Sequence, residues 1–364
     1  MSNDYNEKNI KLIAFHLPQF HVCEENNKWW GEKFTEWTNT KKATKLFRKH
    51  NQPREPRENE YYDLSNLETN LQQMRLAKKY GIYGFCYYHY WFKGKLLLNK
   101  PVELIRDFEG EKLPYCLCWA NESWTRTWEG SKTILLKQEY GGIEDWEEHF
   151  QYLIVSFKDP FYIKQKNAPI LVLYRAKNIP ECEKMIEYWN RRCQEEGFSG
   201  IHIVEELNCF QNYPVCKNSN AFLEFEPLYT MTYGAKYFDN LIHKIISFGF
   251  NLKNRTYNQI YSYDRLWKNI LKRNHLQINQ KSCYLGAFVD WDNTARKGKY
   301  GRIVLGTTPK KFGDYMKMQY QNAINMKCEY IFINAWNEWG EGTYLEPDKI
   351  NGYLYLEAIK KLEE

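Results

Sequence analysis

The chain has 364 residues, of which 43% are hydrophobic, so it can bury a large core and is far from a disordered composition. Its net charge is +6, but the densest basic run, residues 41–57, is broken by prolines and acids. This pattern indicates a solvated loop rather than a nucleic-acid-binding patch, although an anionic glycan or a lipid-linked substrate is compatible with it. The 29 Tyr and 13 Trp exceed the usual needs of a core and suit contacts with sugar rings or with protein interfaces, although tyrosines spread over the surface would give the same composition.

The N-terminus is polar, and no run of about 18 apolar residues occurs. The sequence therefore predicts neither a secretion signal nor an integral membrane segment, and it favours a cytoplasmic protein. The ten Cys have no disulfide-framework spacing and indicate reduced thiols. The oligomeric state is left open.

Eight strand-like segments, mostly separated by helical patterns or long connections, follow one another along the chain. The predicted strands cover residues 10–20, 82–91, 114–119, 170–174, 201–205, 221–225, 284–289 and 330–336. The predicted helices cover residues 66–80, 143–157, 182–193, 309–326 and 354–362. This order predicts an α/β protein, a single (β/α)8 TIM barrel over residues 1–364 with long loops at the C-terminal face.

Two insertions interrupt the pattern, near residues 22–62 and 227–281. The first is polar, carries Trp29, Trp30 and Trp37, and follows strand one. We expect it on the face where barrel enzymes keep their active sites.

Polar or aromatic residues follow seven of the eight predicted strands, and in a barrel these ends converge on one mouth. Each residue alone could be a cap, a loop residue or a structural histidine, but together they predict a site. The candidate substrate-binding residues are His16, Gln19, Trp37, Tyr88, His89, Trp91, Trp119, Asn121, Glu122, Trp124, Arg126, Asp292, Trp336, Asn337 and Trp339. Arg126 could bind an acidic group or pair with Glu122.

Glu338 and Glu341 are the candidate catalytic residues, because glycosidic bonds are broken by two carboxyl groups with different roles. Spaced three apart just after strand eight, they can share one rim, where like charge and nearby Trp residues raise one pKa. We expect Gly340 and Gly342 to permit the sharp backbone turn that aims both inward. A capping turn with solvated acids has the same spacing and remains an alternative.

Other motifs predict no cofactor and no metal. Asp290-Trp291-Asp292 matches the D-x-D of metal-dependent nucleotide-sugar transferases, but it lies at the seventh strand rather than in an early nucleotide-binding half. Cys116-x-Cys118 lacks a second ligand pair at zinc spacing. Phosphate-binding, dinucleotide-binding and serine-hydrolase signatures are absent from the sequence.

The chain resembles the WbsX-type family of polysaccharide-cluster proteins, which is similar to glycoside hydrolase family 99. The resemblance is carried by residues 15–21, 29–31, 34–39, 80–82, 84–92, 116–122, 124–126, 291–294 and 334–347. It implies a (β/α)8 barrel and a retaining, metal-independent reaction. By position it implies that Glu338 deprotonates the 2-hydroxyl of the substrate, which attacks the anomeric carbon, while Glu341 is the general acid and then the base for water. Family 99 usually has His between Trp339 and Glu341, and Gly340 departs from that pattern.

The leading hypothesis is a glycoside hydrolase or transglycosylase acting on a bacterial surface polysaccharide such as O-antigen or capsule. A glycosyltransferase of lipopolysaccharide or capsule assembly is the first alternative. A non-catalytic glycan-binding barrel is the second. All three predict a glycan or oligosaccharide as the partner, and none predicts nucleic acid.

Overall fold

The structure is a computed structural model that describes residues 10–125, 133–234, 237–278 and 280–362. Eight parallel strands form its centre: β1 (Lys11–His16), β2 (Gly84–Phe92), β3 (Tyr115–Trp119), β4 (Ala168–Leu173), β5 (His202–Leu207), β6 (Ala221–Glu224), β7 (Ser282–Phe288) and β8 (Tyr330–Asn334). Each strand pairs with the next, and β8 pairs with β1, so the sheet closes. The predicted (β/α)8 barrel is confirmed.

Helices cover the outside of the barrel or fill its connections. They are α1 (Glu24–Trp30), α2 (Glu36–Lys42), α3 (Leu67–Lys79), α4 (Lys100–Arg106), α5 (Ile143–Lys158), α6 (Cys182–Glu195), α7 (Tyr237–Asn254), α8 (Tyr263–Leu271), α9 (Thr294–Lys297), α10 (Pro309–Asn325) and α11 (Leu354–Lys360). All five predicted helices occur, as α3, α5, α6, α10 and α11, with ends within two residues of the prediction. Amphipathic spacing explains this accuracy, because each of these helices has one buried apolar face.

Two strands end two or more residues earlier than the sequence predicts. The first ends at His16 rather than at residue 20, and Pro18, which has no N–H to donate to a sheet, follows closely. The last ends at Asn334 rather than at residue 336, where the chain turns into the segment that carries the two candidate catalytic residues. Both differences lie at the C-terminal face.

The two insertions have structure of their own. The first contains α1, α2 and a short 3-10 helix, Arg57–Asn59, and is tied to the end of β7 by a hydrogen bond from His50 Nε2 to Asp292 Oδ2 at 2.7 Å. The second contains α7 and α8, and α8 closes the gap between β6 and β7 by stacking Trp267 on Phe288 of β7. Within the parts of the chain that the structure describes, no helix combines the length and the apolar character needed to cross a bilayer.

Candidate active site

A cleft of about 940 Å³ opens at the carboxyl ends of the barrel strands. Residues from or just after all eight strands line it, among them Gln19 after β1, Tyr88 within β2 and Glu338 after β8. Trp30, within residues 22–62, also lines it, so this segment reaches the mouth of the barrel. The convergence of strand ends that the sequence predicted is therefore present.

A tight hairpin carries the two candidate catalytic residues to this cleft. Asn337–Glu338 pairs with Thr343–Tyr344, and the 3-10 turn Trp339–Glu341 joins them. Gly342 ends the turn in the left-handed region, with φ of 65°, which glycine adopts without strain. The side chain of Glu338 is only 8% exposed, whereas that of Glu341 is 25% exposed.

Arg296, at the end of α9, joins three carboxylates with one guanidinium. Its Nη2 donates to Glu338 Oε2 at 3.0 Å, and its Nη1 lies 2.7 Å from Glu341 Oε1. Its Nε donates to Oε1 of Glu36, on α2, at 2.9 Å. We call these four residues the arginine cluster. Three acids around one base in a buried site favour retention of a proton by one of the acids.

The turn that carries the two candidate catalytic residues needs Gly340 for space. A Cβ at this position would lie 1.7 Å from Glu36 Oε1 and 2.9 Å from Arg296 Nε. The φ of Gly340 is not in the left-handed region, unlike that of Gly342. The expectation that both glycines serve the backbone turn is therefore wrong for Gly340, which makes room for the ion pair.

Burial raises the pKa of Glu338 to about 8. Arg296 opposes this rise by favouring the ionised form, and the nearby carboxylates of Glu341 and Glu36 add to it. Burial also raises the pKa of Glu36, which is fully buried. A carboxyl group with a pKa near neutrality is suited to proton transfer at physiological pH.

The opposite wall of the cleft is built around Glu122 and Arg175, which form an ion pair. Asn121 fixes Arg175 by accepting from its backbone N–H at 2.9 Å and donating to its carbonyl oxygen at 2.9 Å. Burial raises the pKa of Glu122, and the charge of Arg175 lowers it. The charge of Glu341 also raises this pKa, so charges on the two walls of the cleft interact. Trp124 supplies a flat apolar ring on this side, in a T-shaped contact with the ring of Tyr90.

Seven of the predicted site residues line the cleft together: Gln19, Tyr88, Asn121, Glu122, Trp124, Glu338 and Glu341. Arg126, which the sequence offered as a partner of Glu122, lies outside the described residues. Among the described residues, Glu122 pairs with Arg175.

Four predicted site residues face the helices outside the barrel instead. His16 Nε2 bonds Gln73 of α3 at 2.8 Å, and His89 Nε2 bonds His149 of α5 at 2.8 Å. Burial lowers the pKa of His16 to about 4 and that of His89 to about 3, so both are neutral at pH 7. Trp91 and Trp119 belong to the same outer layer, and both pack on the ring of His149.

Five others shape the loops around the cleft without lining it. They are Trp37, Asp292, Trp336, Asn337 and Trp339. Asn337 joins the ends of β1 and β8, because its Oδ1 accepts from Leu17 N at 2.7 Å and its Nδ2 donates to Leu17 O at 3.0 Å. Trp339 donates from Nε1 to Glu346 at 2.6 Å. Trp37 Nε1 donates to the carbonyl of Tyr62, and Trp336 is fully buried.

Both acids of the D-x-D motif, Asp290 and Asp292, accept hydrogen bonds from other side chains of the protein. Asp292 Oδ2 accepts from His50, and its Oδ1 accepts from Thr294 Oγ1 at 2.6 Å. Asp290 accepts from Arg54 Nη2 at 2.8 Å. These contacts anchor the first insertion to β7, which explains the buried acids without a ligand.

Glu224, His275 and Cys283 are the one group within the described ranges whose side chains are close enough to share a metal ion. They lie outside the cleft lining. Glu224 already accepts from Arg273 Nη1 at 2.7 Å, and an adjacent cation disfavours a bound metal. We interpret the group as part of the ion-pair network under α8.

Three residues of the cleft region were not predicted from the sequence: Arg296 and Glu36, which complete the arginine cluster, and Arg175 on the opposite wall. Glu36 lies inside segment 34–39, and Arg296 lies two residues after segment 291–294, which carry the family resemblance. That proximity was the available signal. Their meeting could not be read from the sequence, because 260 residues separate them.

Comparison with known proteins agrees with this architecture. The family model described as glycosyltransferase WbsX matches residues 12–359. The uncharacterized protein WxcX of Xanthomonas campestris pv. campestris is 32% identical over 353 residues, or 96% of this chain. The match covers 49% of WxcX, so the chain spans about half the length of the curated relatives it matches.

Several solved structures share the fold, and two of them illustrate the likeness. The GH99 endo-alpha-mannosidase from Bacteroides thetaiotaomicron matches with a TM-score of 0.55 and 14% identity, over 98% of this chain and 97% of that chain. A glycoside hydrolase-like protein matches with a TM-score of 0.59 and 12% identity, over 98% of this chain and 94% of that chain. At these identities the likeness concerns the barrel fold alone.

Proposed function

Because this chain belongs to the glycosyltransferase WbsX family and has the barrel fold of a GH99 enzyme, we propose that it is a retaining, metal-independent glycoside hydrolase or transglycosylase. Its substrate would be a bacterial surface polysaccharide such as O-antigen or capsule. The observation that carries the proposal is the pair Glu338 and Glu341, held by Arg296 at the edge of one cleft.

The proposed reaction uses these two carboxyl groups in sequence. Glu338 takes the proton of the sugar 2-hydroxyl as its oxygen attacks the anomeric carbon, while Glu341 gives a proton to the departing glycosidic oxygen. Glu341 then takes a proton from water, which opens the 1,2-anhydro sugar, and Glu338 returns its proton to the 2-hydroxyl. The pKa of about 8 at Glu338 makes its ionised form a stronger base toward a hydroxyl than an ordinary carboxylate.

The first test is the release of oligosaccharides from purified surface polysaccharide of the source organism, measured by chromatography. We expect Glu341→Gln to lower the rate at least about 10²-fold, because the leaving oxygen loses its proton donor. Glu144→Gln is a matched control, since Glu144 is an exposed acid in the first turn of α5. Equal rates for the wild type and Glu341→Gln would contradict the assignment.

A glycosyltransferase is the second candidate, favoured by the description of the matching family. It predicts binding of a nucleotide-sugar, which calorimetry with a donor panel, with and without Mn²⁺, would detect. The engagement of Asp290 and Asp292 by Arg54 and His50 counts against this candidate. Glycan affinity that Glu338→Gln leaves unchanged, with no turnover, would instead favour a binding protein.

A further inference from the structure

We propose that Arg296 and Glu36 are positioning residues of the reaction proposed above: Glu36 holds the guanidinium in the space that Gly340 leaves open, and the guanidinium holds Glu338 and Glu341. The inference rests on the proposed function for its kinetic part. Its structural part concerns only how the arginine cluster is assembled.

The guanidinium of Arg296 offers its donors in one rigid plane, and the cluster uses all three nitrogens. Nε binds Glu36, Nη2 binds Glu338 and Nη1 binds Glu341. Because both Nη atoms hold a candidate catalytic carboxylate, rotation of the guanidinium would move both carboxylates. Lys has a single ammonium group and cannot reproduce this three-way geometry.

Glu36 fixes that plane from behind the cleft. It is fully buried on α2 and does not line the cleft, so it is placed to act through Arg296 rather than on substrate. Its Oε1 accepts from Arg296 Nε, and its Oε2 has no hydrogen-bond partner among the described residues. A buried acid with one unsatisfied oxygen is costly for the fold, which fits a functional role better than a stabilising one.

The absence of a side chain at Gly340 leaves room for the ion pair between Glu36 and Arg296. The Cβ of any other residue would lie 1.7 Å from Glu36 Oε1, and a buried carboxylate held by Arg296 has little room to retreat. A side chain at position 340 and the Glu36–Arg296 pair therefore exclude each other. The glycine that departs from the family 99 pattern is, in this chain, the complement of a buried ion pair.

The charges of the cluster act on Glu338 in opposite directions. The groups that face its carboxyl are Arg296 from α9, Glu36 from α2, Glu341 from its own turn, and Tyr88 and Tyr90 from β2. Arg296 favours the ionised form, whereas Glu36 and Glu341 disfavour it. Loss of the cation should raise the pKa of Glu338, and loss of the Glu36 charge should lower it.

The kinetic test is the pH profile of kcat/KM for the wild type, Glu36→Gln and Arg296→Met. Because Glu338 must be ionised to accept a proton, its pKa sets the acidic limb of the profile. We expect the midpoint of that limb to move about one pH unit lower in Glu36→Gln and about one unit higher in Arg296→Met. Arg296→Lys should not restore the wild-type rate. Lower rates with an unmoved midpoint in both variants would overturn the proposal.

The structural test uses Gly340→Ala in two backgrounds and needs no substrate. In the wild type we expect a clear fall in Tm, because the methyl group displaces Glu36. In Glu36→Ala, where only the contact with Arg296 Nε at 2.9 Å remains, we expect the same substitution to lower Tm much less. Gly249→Ala on α7 is the control, since a Cβ there meets nothing within 4 Å. Equal losses in both backgrounds would overturn the proposed complementarity.

The two tests separate failure of this inference from failure of the proposed function. If the wild type cleaves no glycan but Gly340→Ala depends on Glu36, the assembly stands and the hydrolase proposal fails. If the wild type cleaves glycan, but the pH midpoints do not move and the effect of Gly340→Ala does not depend on Glu36, the hydrolase proposal stands and this inference fails.

Discussion

Glu338 shows how burial of a single residue can weaken the fold while it strengthens the base that the proposed reaction needs. Its side chain is 8% exposed, and burial raises its pKa from 4.5 to about 8. Between those two values the folded protein binds a proton that the unfolded chain releases. The free energy of unfolding therefore falls as the pH rises through this window. The same shift makes the ionised group a better base.

Glu338→Gln should therefore stabilise the protein, and more so at pH 8 than at pH 5. Gln cannot ionise, so it avoids the cost of a buried carboxylate, and it can still accept from Arg296. We expect a gain of about 1–3 kcal/mol at pH 8 and a smaller one at pH 5, with activity lost. Thermal unfolding at the two pH values measures the difference. A variant that is destabilised at both values would contradict this view of Glu338.

At the scale of the element, β2 shows that the sequence can predict which strand end reaches the site, but not which face of the strand turns toward it. Its nine residues are all buried, so no polar alternation marks the face that turns inward. Tyr88 and Tyr90 line the cleft, whereas His89 and Trp91, one position away, pack outward on α5. The sequence placed the aromatic run at the correct strand end. It could not choose the face, because side chains alternate with a period of two and both faces carry rings.

Trp119, the last residue of the neighbouring strand β3, and Trp124, which follows that strand, test the distinction between the outer layer and the cleft. Trp119 is 2% exposed and belongs to the outer layer, so Trp119→Ala should cost about 3–5 kcal/mol of stability. Trp124 lines the cleft, so Trp124→Ala should weaken glycan binding up to about tenfold through lost stacking. Denaturant unfolding and calorimetric titration together check both. Loss of affinity with intact stability in Trp119→Ala would reverse the assignment of faces.

At the scale of the whole molecule, the barrel was predictable because each strand and helix leaves a local pattern. The pair Glu338 and Glu341 was predictable because its members are only three positions apart in the sequence. What completes the site depends on contacts between distant segments, such as Glu36 with Arg296 across 260 residues and His50 with Asp292 across 242. In both cases the first insertion supplies one partner and the region after β7 the other. No local pattern encodes such pairs.

This arrangement makes the first insertion a structural part of the site, and Asp292→Asn tests that role. Burial opposes ionisation of Asp292, but the hydrogen bond from His50 Nε2 and the charge of Arg54 lower its pKa, so the acid holds the insertion by charge as well as by hydrogen bonds. We expect Asn at this position to loosen residues 22–62, with faster tryptic cleavage at the exposed basic residues Lys41 and Lys42. Activity should fall, because Glu36 would no longer hold Arg296, while the barrel keeps its circular dichroism spectrum. Asp264→Asn is the control, since Asp264 pairs with Lys311 on the outside of the barrel. Unchanged cleavage within residues 22–62 in Asp292→Asn would show that the insertion is held by other contacts.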